Sequence, residues 1–209
     1  MKSAALGFRT HSGWTALVAV SLSRGAPRVL ARQRIHLVET FTYRFRQPYH
    51  TAKRMPLDEA RTFITEVRTQ ARSLAHRAIR KLQENLQTQG YRLTRCGLVL
   101  ASGRPLPDLP DILASHALIH TADGELFREA LLHACARCGL VSKTHKGREL
   151  LNEASRVLRL TPSALTRRIA NLGRPLGAPW SQDEKLASLI AWLALASKPS
   201  HLRRSRPAA

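Results

Sequence analysis

The chain reads as a mixed α/β protein, one sheet with helices on its faces, in the order β-β-β-α-β-α-β-α-α-α. Three observations predict it. Residues 4–38 carry apolar or alternating runs separated by turn signals. A long stripe of helical period follows at 57–89. A short, almost wholly apolar segment at 95–101 then suits a strand buried on both faces. The chain has 209 residues and 44% hydrophobic content, which excludes wholesale disorder and suits one domain over 1–196 with a tail behind it. The two best apolar runs, 14–22 and 186–196, fall short of the roughly 20 residues of a membrane span, so no membrane-spanning segment is expected.

Each element has its own warrant. Residues 4–11 (AALGFRTH) form a first strand, Ser12-Gly13 a turn, and 14–22 (WTALVAVSL) a second strand. Arg24-Gly25-Ala26-Pro27 breaks the chain. From 28 to 38, Val29, Ala31, Ile35 and Leu37 share one face while Arg28, Arg32, Arg34 and His36 line the other, giving a basic stripe. The alternation continues through Phe41, Tyr43 and Phe45 against Arg44 and Arg46, and 47–55 reads as polar connector. In 57–89, Ala60, Ile64, Val67, Ala71, Leu74, Ala78, Leu82 and Leu86 recur at three-and-four spacing, and Gly90 stops the helix. After the strand at 95–101 and a loop at 102–107, a short helix is expected near 111–119. A second, 122–138, is capped by Thr121, with Asp123 and Glu125 against its dipole. A short fifth strand at 140–144 and helices at 147–159 and 162–171 follow, the latter pair an insert spanning about 147–172. Thr161-Pro162 opens the second of them and Gly173 closes it. Ser181-Gln182-Asp183-Glu184 is a capping box for a last helix at 182–196. The basic tail 197–209 is expected to be disordered.

Charge points to a partner class. Lys and Arg number 34 against 14 Asp and Glu, a net charge of +20, and 27 of the basic residues are Arg. Arginine excess alone can follow from genome composition, but scarce acids do not, and a polyanion is the usual partner of such a surface. A nucleic acid, DNA or RNA, is therefore expected ahead of an anionic membrane surface or an acidic protein. Three cysteines cannot build a disulfide framework, which fits a reducing, cytoplasmic setting. Residues 1–38 lack acids, as transit peptides do, but their strand patterning assigns them to folded structure.

Three segments carry a resemblance. Leu6-Gly7-Phe8-Arg9-Thr10-His11-Ser12-Gly13 resembles a first strand running into a small-residue turn, Gly97–Ala101 resembles a buried fourth strand, and the helix opened by Asp183 and Glu184 resembles a closing helix. The whole is similar to the ribonuclease-H-like fold, and within it to RuvC-type Holliday junction resolvases. That resemblance implies a five-stranded mixed sheet and two Mg²⁺ ions held by carboxylates from the first strand, the fourth strand and the last helix. Here Arg9 stands where the first-strand acid would, Ala101 and Ser102 where the fourth-strand acid would, and only Asp183 and Glu184 remain in register. A guanidinium in that cleft repels a metal and favours phosphate. The expectation is a nucleic-acid-binding protein lacking the two-metal activity, with no cofactor. The alternatives are a Mg²⁺-dependent structure-specific endonuclease using Asp183 and Glu184, or a helix-turn-helix regulator. Residues 154–172 resemble the helix-turn-helix of LysR-type regulators, with Ala154, Leu158, Leu160, Leu165, Ile169 and Leu172 as its core and Ser163, Thr166, Arg167 and Arg168 facing DNA.

The phosphate contacts expected from the fold are Arg9, His11, Ser102, Arg104 and Lys185, joined by Arg28, Arg32 and Arg34 on the third strand and by Arg167 and Arg168. His116 and His120, followed by Asp123 and Glu125, are candidate metal ligands, weighed against a plain helix-end cluster. Cys135 and Cys138 sit at a helix C-terminus, where the dipole opposes a thiolate, so they read as core thiols. Trp14 and Trp192 are expected in the core, and Trp180 as a hydrophobic staple.

Overall fold

The computed structural model describes residues 1–100 and 105–196. A five-stranded sheet runs in the order β3-β2-β1-β4-β5. β1 (Lys2–His11), β2 (Trp14–Ser23) and β3 (Ala26–His36) form the antiparallel meander, while β4 (Tyr91–Leu100) and β5 (Val141–Lys146) add parallel to β1. The crossover from β3 to β4 carries α1 (Tyr43–Arg46), α2 (Pro48–Ala52) and the long α3 (Leu57–Thr88). α4 (Leu109–Ala114) and α5 (His116–Arg137) join β4 to β5. After β5 come a 3-10 turn (Gly147–Glu149), α6 (Leu150–Leu158), α7 (Pro162–Leu172), a second 3-10 turn (Arg174–Leu176) and α8 (Gln182–Ala196).

The helices divide between the two faces of the sheet. Leu6, Phe8, Leu17, Ala19 and Leu98 meet Ile64, Ile79, Phe127 and Leu131 in the larger core beneath α3 and α5. On the other face Val18, Val20 and Val29 meet Ala187 and Ala191 of α8, and α6 and α7 pack Leu150, Ala154, Leu165 and Ile169 against α8's Leu189, Ile190 and Trp192. α8 approaches the sheet closely because Gly7 and Gly97 are cross-strand partners. A Cβ on Gly7 would lie 1.9 Å from the Ala187 carbonyl oxygen, and one on Gly97 would lie 2.7 Å from Ile190 Cγ2.

Several expectations are corrected. The period-two reading of 41–46 fails: these residues enter the helix Tyr43–Arg46, and the connector holds a second helix whose Pro48 sits in the first turn. On β3 a bulge breaks the stripe. Val20 pairs with Val29 but Ala19 with Ala31, so Val29 joins the α8 face while Ile35 and Leu37 join the α3 face. Arg28, opposite Ser21, is thereby out of step with Arg32 and Arg34, opposite Val18 and Ala16. The two helices expected at 111–119 and 122–138 are instead split at Ser115, whose hydroxyl accepts from Leu118 N. Thr121 lies inside α5 and donates to the Ala117 carbonyl. Trp14 is not in the core: it is half-buried at the end of β2, stacked on His11. Trp192 is buried as expected, whereas Trp180, expected as a staple at the start of α8, lies instead against Gly173 at the end of α7 and donates to the Ile169 carbonyl.

Candidate functional site

Two periods bring the site together. Gly7, Arg9 and His11 share one face of β1, and two strand residues advance about 6.6 Å while four helix residues advance about 6 Å. With Gly7 against Ala187, the turn of α8 one step earlier therefore lies over Arg9 and His11. Asp183 Oδ1 is 3.7 Å from Arg9 Nε and 3.0 Å from His11 Nε2. Both contacts are at ion-pair distance but neither is a hydrogen bond, the first because it is too long, leaving Arg9 Nε and His11 Nε2 as buried atoms with no hydrogen-bond partner among the described residues. Glu184 turns away from this group. Its carboxylate accepts from the Ser181 N–H at 2.8 Å and from the Ser181 hydroxyl, while the Ser181 hydroxyl accepts from Asp183 N, which completes the capping box.

Sequence reasoning missed a second guanidinium here. Arg128 of α5 is largely buried, ion-paired to Glu125 at 3.6 Å, with its head over Gly124. Burial pulls its pKa below the ordinary value; Glu125 opposes this and the like charge of Arg9 adds to it. Only tertiary packing brings it near Arg9, so neither spacing nor period signalled it. Beside this group, at the end of β4, a cavity of about 380 Å³ is lined by Tyr49, Arg68, Arg72, Leu100, Glu125 and Glu129. Arg72 grips Glu129 with two nitrogens, and Arg68 donates to the Tyr49 hydroxyl.

From His11 a track of rings and cations crosses the end of the sheet. The His11 and Trp14 rings stack at 4.2 Å, and the Arg34 guanidinium carbon lies 3.8 Å from the Trp14 centroid. Phe41 follows, stacked on His36 at 4.7 Å, with Arg46 4.5 Å from its centroid. Arg46 also donates to the Ser12 carbonyl, tying α1 to the β1–β2 turn.

The remaining candidates are dispersed. Arg32 donates to the carbonyls of Leu176, Gly177 and Pro179, which engages it in bracing the loop before α8. Arg28 and Arg168 line a separate groove with Val29, Asn171 and Leu172. Arg167 is exposed on α7, and Lys185 lines the groove between α7 and α8. Ser102, Arg104 and Ala101 lie outside the described residues, as does the tail 197–209. Cys135 is buried, Cys138 caps α5 half-buried, and Cys96 lies against Ser142 at 3.1 Å.

The histidine candidates converge, but not as the sequence grouped them. His116 and His120 are joined by His50 of α2, and Asp123 is buried behind His50, accepting from the Tyr49 N–H at 2.7 Å and meeting His50 Nδ1 at 2.5 Å. Burial pushes the Asp123 carboxyl up, against the hydrogen bonds from His50 and Tyr49. Glu125 belongs instead with Arg128.

The order of strands and helices, with α8 crossing β1, defines a ribonuclease-H-like α/β protein. Among solved structures, the chain is similar to Thermus thermophilus RuvC in complex with a Holliday junction substrate (TM-score 0.53, 9% identity, covering 93% of each chain). It is also similar to Thermus thermophilus RuvC in a second structure (TM-score 0.52, 10% identity, 92% of this chain and 93% of that one). No family model matches the sequence, and no curated protein matches it. Among the described residues no helix is long and apolar enough to cross a membrane.

Proposed function

We propose that this chain is a nucleic-acid-binding protein of ribonuclease-H-like fold whose strand-end site takes a phosphate where its fold relatives take metal. The single observation that carries the reading is Arg9, standing on β1 beside Asp183 with Arg128 nearby. A two-metal site needs several uncommitted carboxylates around two cations. Here Asp183 is engaged by Arg9 and His11, Glu184 by Ser181, and Glu125 by Arg128. Two guanidiniums at that place oppose a divalent cation and suit the oxygens of a phosphate. The donor set therefore does not fit Mg²⁺, and no reaction step is assigned to it.

Three further features support a nucleic acid. The net charge is +20. The ladder His11–Trp14–Arg34–Phe41–Arg46 offers stacking rings between cations, as single-stranded or branched nucleic acids favour. The Thermus thermophilus protein of like fold was solved with a Holliday junction. In this reading residues 1–196 are one domain with its helical insert at about 147–172, the basic tail adds non-specific affinity, and the protein is cytoplasmic.

The test is binding to duplex, single-stranded and four-way substrates at two salt concentrations, with Mg²⁺ or Mn²⁺ present or absent. The expected log–log salt slope on duplex is about −0.9 per phosphate neutralised, and R9A/R128A should lose roughly tenfold in affinity. Binding indifferent to salt defeats the proposal. Cleavage products that vanish in D183N would make the chain a nuclease. A sequence preference that R167A relaxes would favour the pair α6–α7 as a DNA reader, for which Ser163, Thr166 and Arg167 are exposed.

A further inference from the structure

The cluster His50, His116 and His120 lies outside the strand-end site and has no part in the function proposed above. His116 and His120 are four apart, one turn along the first half of α5, and Asp123 continues the same stripe. His50 comes from α2, which packs against α5. One ring nitrogen from each histidine lies within 4.8 Å of the other two. His116 Nε2 and His120 Nε2 are 3.1 Å apart. A tetrahedral Zn²⁺ with Zn–N bonds of 2.0–2.1 Å sets its ligand nitrogens about 3.3–3.4 Å from one another, so this pair is already close to the required edge.

The third histidine is oriented from behind. Asp123, 2% exposed, holds His50 Nδ1 and is itself held by the Tyr49 N–H. With Nδ1 committed, Nε2 is the nitrogen His50 has left to offer. A carboxylate that fixes the tautomer and direction of a ligating imidazole is the arrangement that raises metal affinity at histidine sites. Without a cation the three facing nitrogens can share protons only pairwise. A cation satisfies all three lone pairs at once.

We infer that His50, His116 and His120, with Asp123 orienting His50, form a binding site for one divalent transition-metal ion of the Zn²⁺, Ni²⁺ or Cu²⁺ class, with a fourth position open to water or an anionic oxygen. An all-imidazole donor set selects Zn²⁺, Ni²⁺ or Cu²⁺ over Mg²⁺, Ca²⁺ or Mn²⁺. The ion would also pin α2, and with it the β3–α3 connector, to α5.

The experiment uses the full, untagged chain, stripped with a chelator and titrated with ZnCl₂ by calorimetry, with thermal melts alongside. The expected result is saturable binding of one Zn²⁺ per chain, a higher melting temperature with metal, and no displacement by millimolar Mg²⁺. H116A/H120A removes two exposed rings, so the metal-free variant should melt like the metal-free wild type while losing stoichiometric binding. D123N should weaken binding by about 10–100-fold. Absence of saturable binding in the wild type overturns the site, as does undiminished binding in H116A/H120A, which would move the metal to other residues. Unchanged affinity in D123N would remove the orienting role of Asp123.

Discussion

The two faces of the sheet are covered by different means. Beneath α3 and α5 the gap is filled by large side chains, Leu6, Phe8 and Leu17 from the strands against Ile79, Phe127 and Leu131 from the helices. On the other face α8 rests on bare backbone where Gly7 and Gly97 lie side by side, with Ala187 and Ala191 as its contact residues. A side-chain layer can repack around a change, whereas helix backbone against strand backbone has nothing to yield. The second face thereby fixes the height and register of α8, and with them the place of Asp183 over Arg9 and His11. The face with the smaller residues sets the geometry of the candidate site.

The largest expected effect falls on the side-chain face. Phe127→Ala should cost about 3–5 kcal/mol in urea unfolding, yet leave nucleic-acid binding intact while the protein remains folded. Gly7→Ala should cost about 3 kcal/mol, because its Cβ meets a carbonyl oxygen rather than a movable side chain, and it should weaken binding as well by lifting α8 from Arg9. Gly97→Ala should cost less, about 1–2 kcal/mol, since its nearest neighbour is the Ile190 Cγ2 methyl at 2.7 Å rather than a carbonyl oxygen at 1.9 Å. Equal costs at the two glycines would show that α8 is not seated on Gly7.

A smaller effect tests the polar pins beside that face. Burial would raise the Glu153 carboxyl, but hydrogen bonds from Lys143 and His145 outweigh it and hold it below 4.5. A depressed carboxyl stabilises the fold above its unfolded value and loses that contribution as pH falls through the folded value. Wild type should therefore exceed Glu153→Gln by about 1–2 kcal/mol near neutrality, with the gap closing below pH 4.5 in thermal melts. Arg80→Ala, which breaks an exposed pair with Glu84, should change stability by less than about 0.5 kcal/mol.

The elements legible in the sequence were those with a long period or an unambiguous cap. α3 and α8 begin and end within a residue of expectation, since Pro56, Gly90 and the Ser181 box bound them. The bulge at Leu30 was not legible, because Val29, Ala31, Ile35 and Leu37 fit one alternating face, interrupted only by Gln33, that the paired strand does not follow. Nor was the helix Tyr43–Arg46, whose aromatic–arginine alternation imitates a strand. Here Pro48, placed to open α2, was the signal against an extended chain. For the strand-end site, Arg9 and Asp183 were legible through the resemblance, whereas Arg128 becomes visible only in three dimensions. His50 was hidden for the same reason, far in sequence from the histidines it joins.

Trp14 is clasped between an imidazole and a guanidinium at the mouth of the cationic track, whereas Trp192 is sheltered inside and Trp180 lies against Gly173. One of the protein's three indoles is thus an intrinsic fluorophore wired to the very charges a polyanion would draw away. Displacing Arg34 or His11 changes the polarity and quenching around that chromophore, so its emission gives a label-free optical record of occupancy.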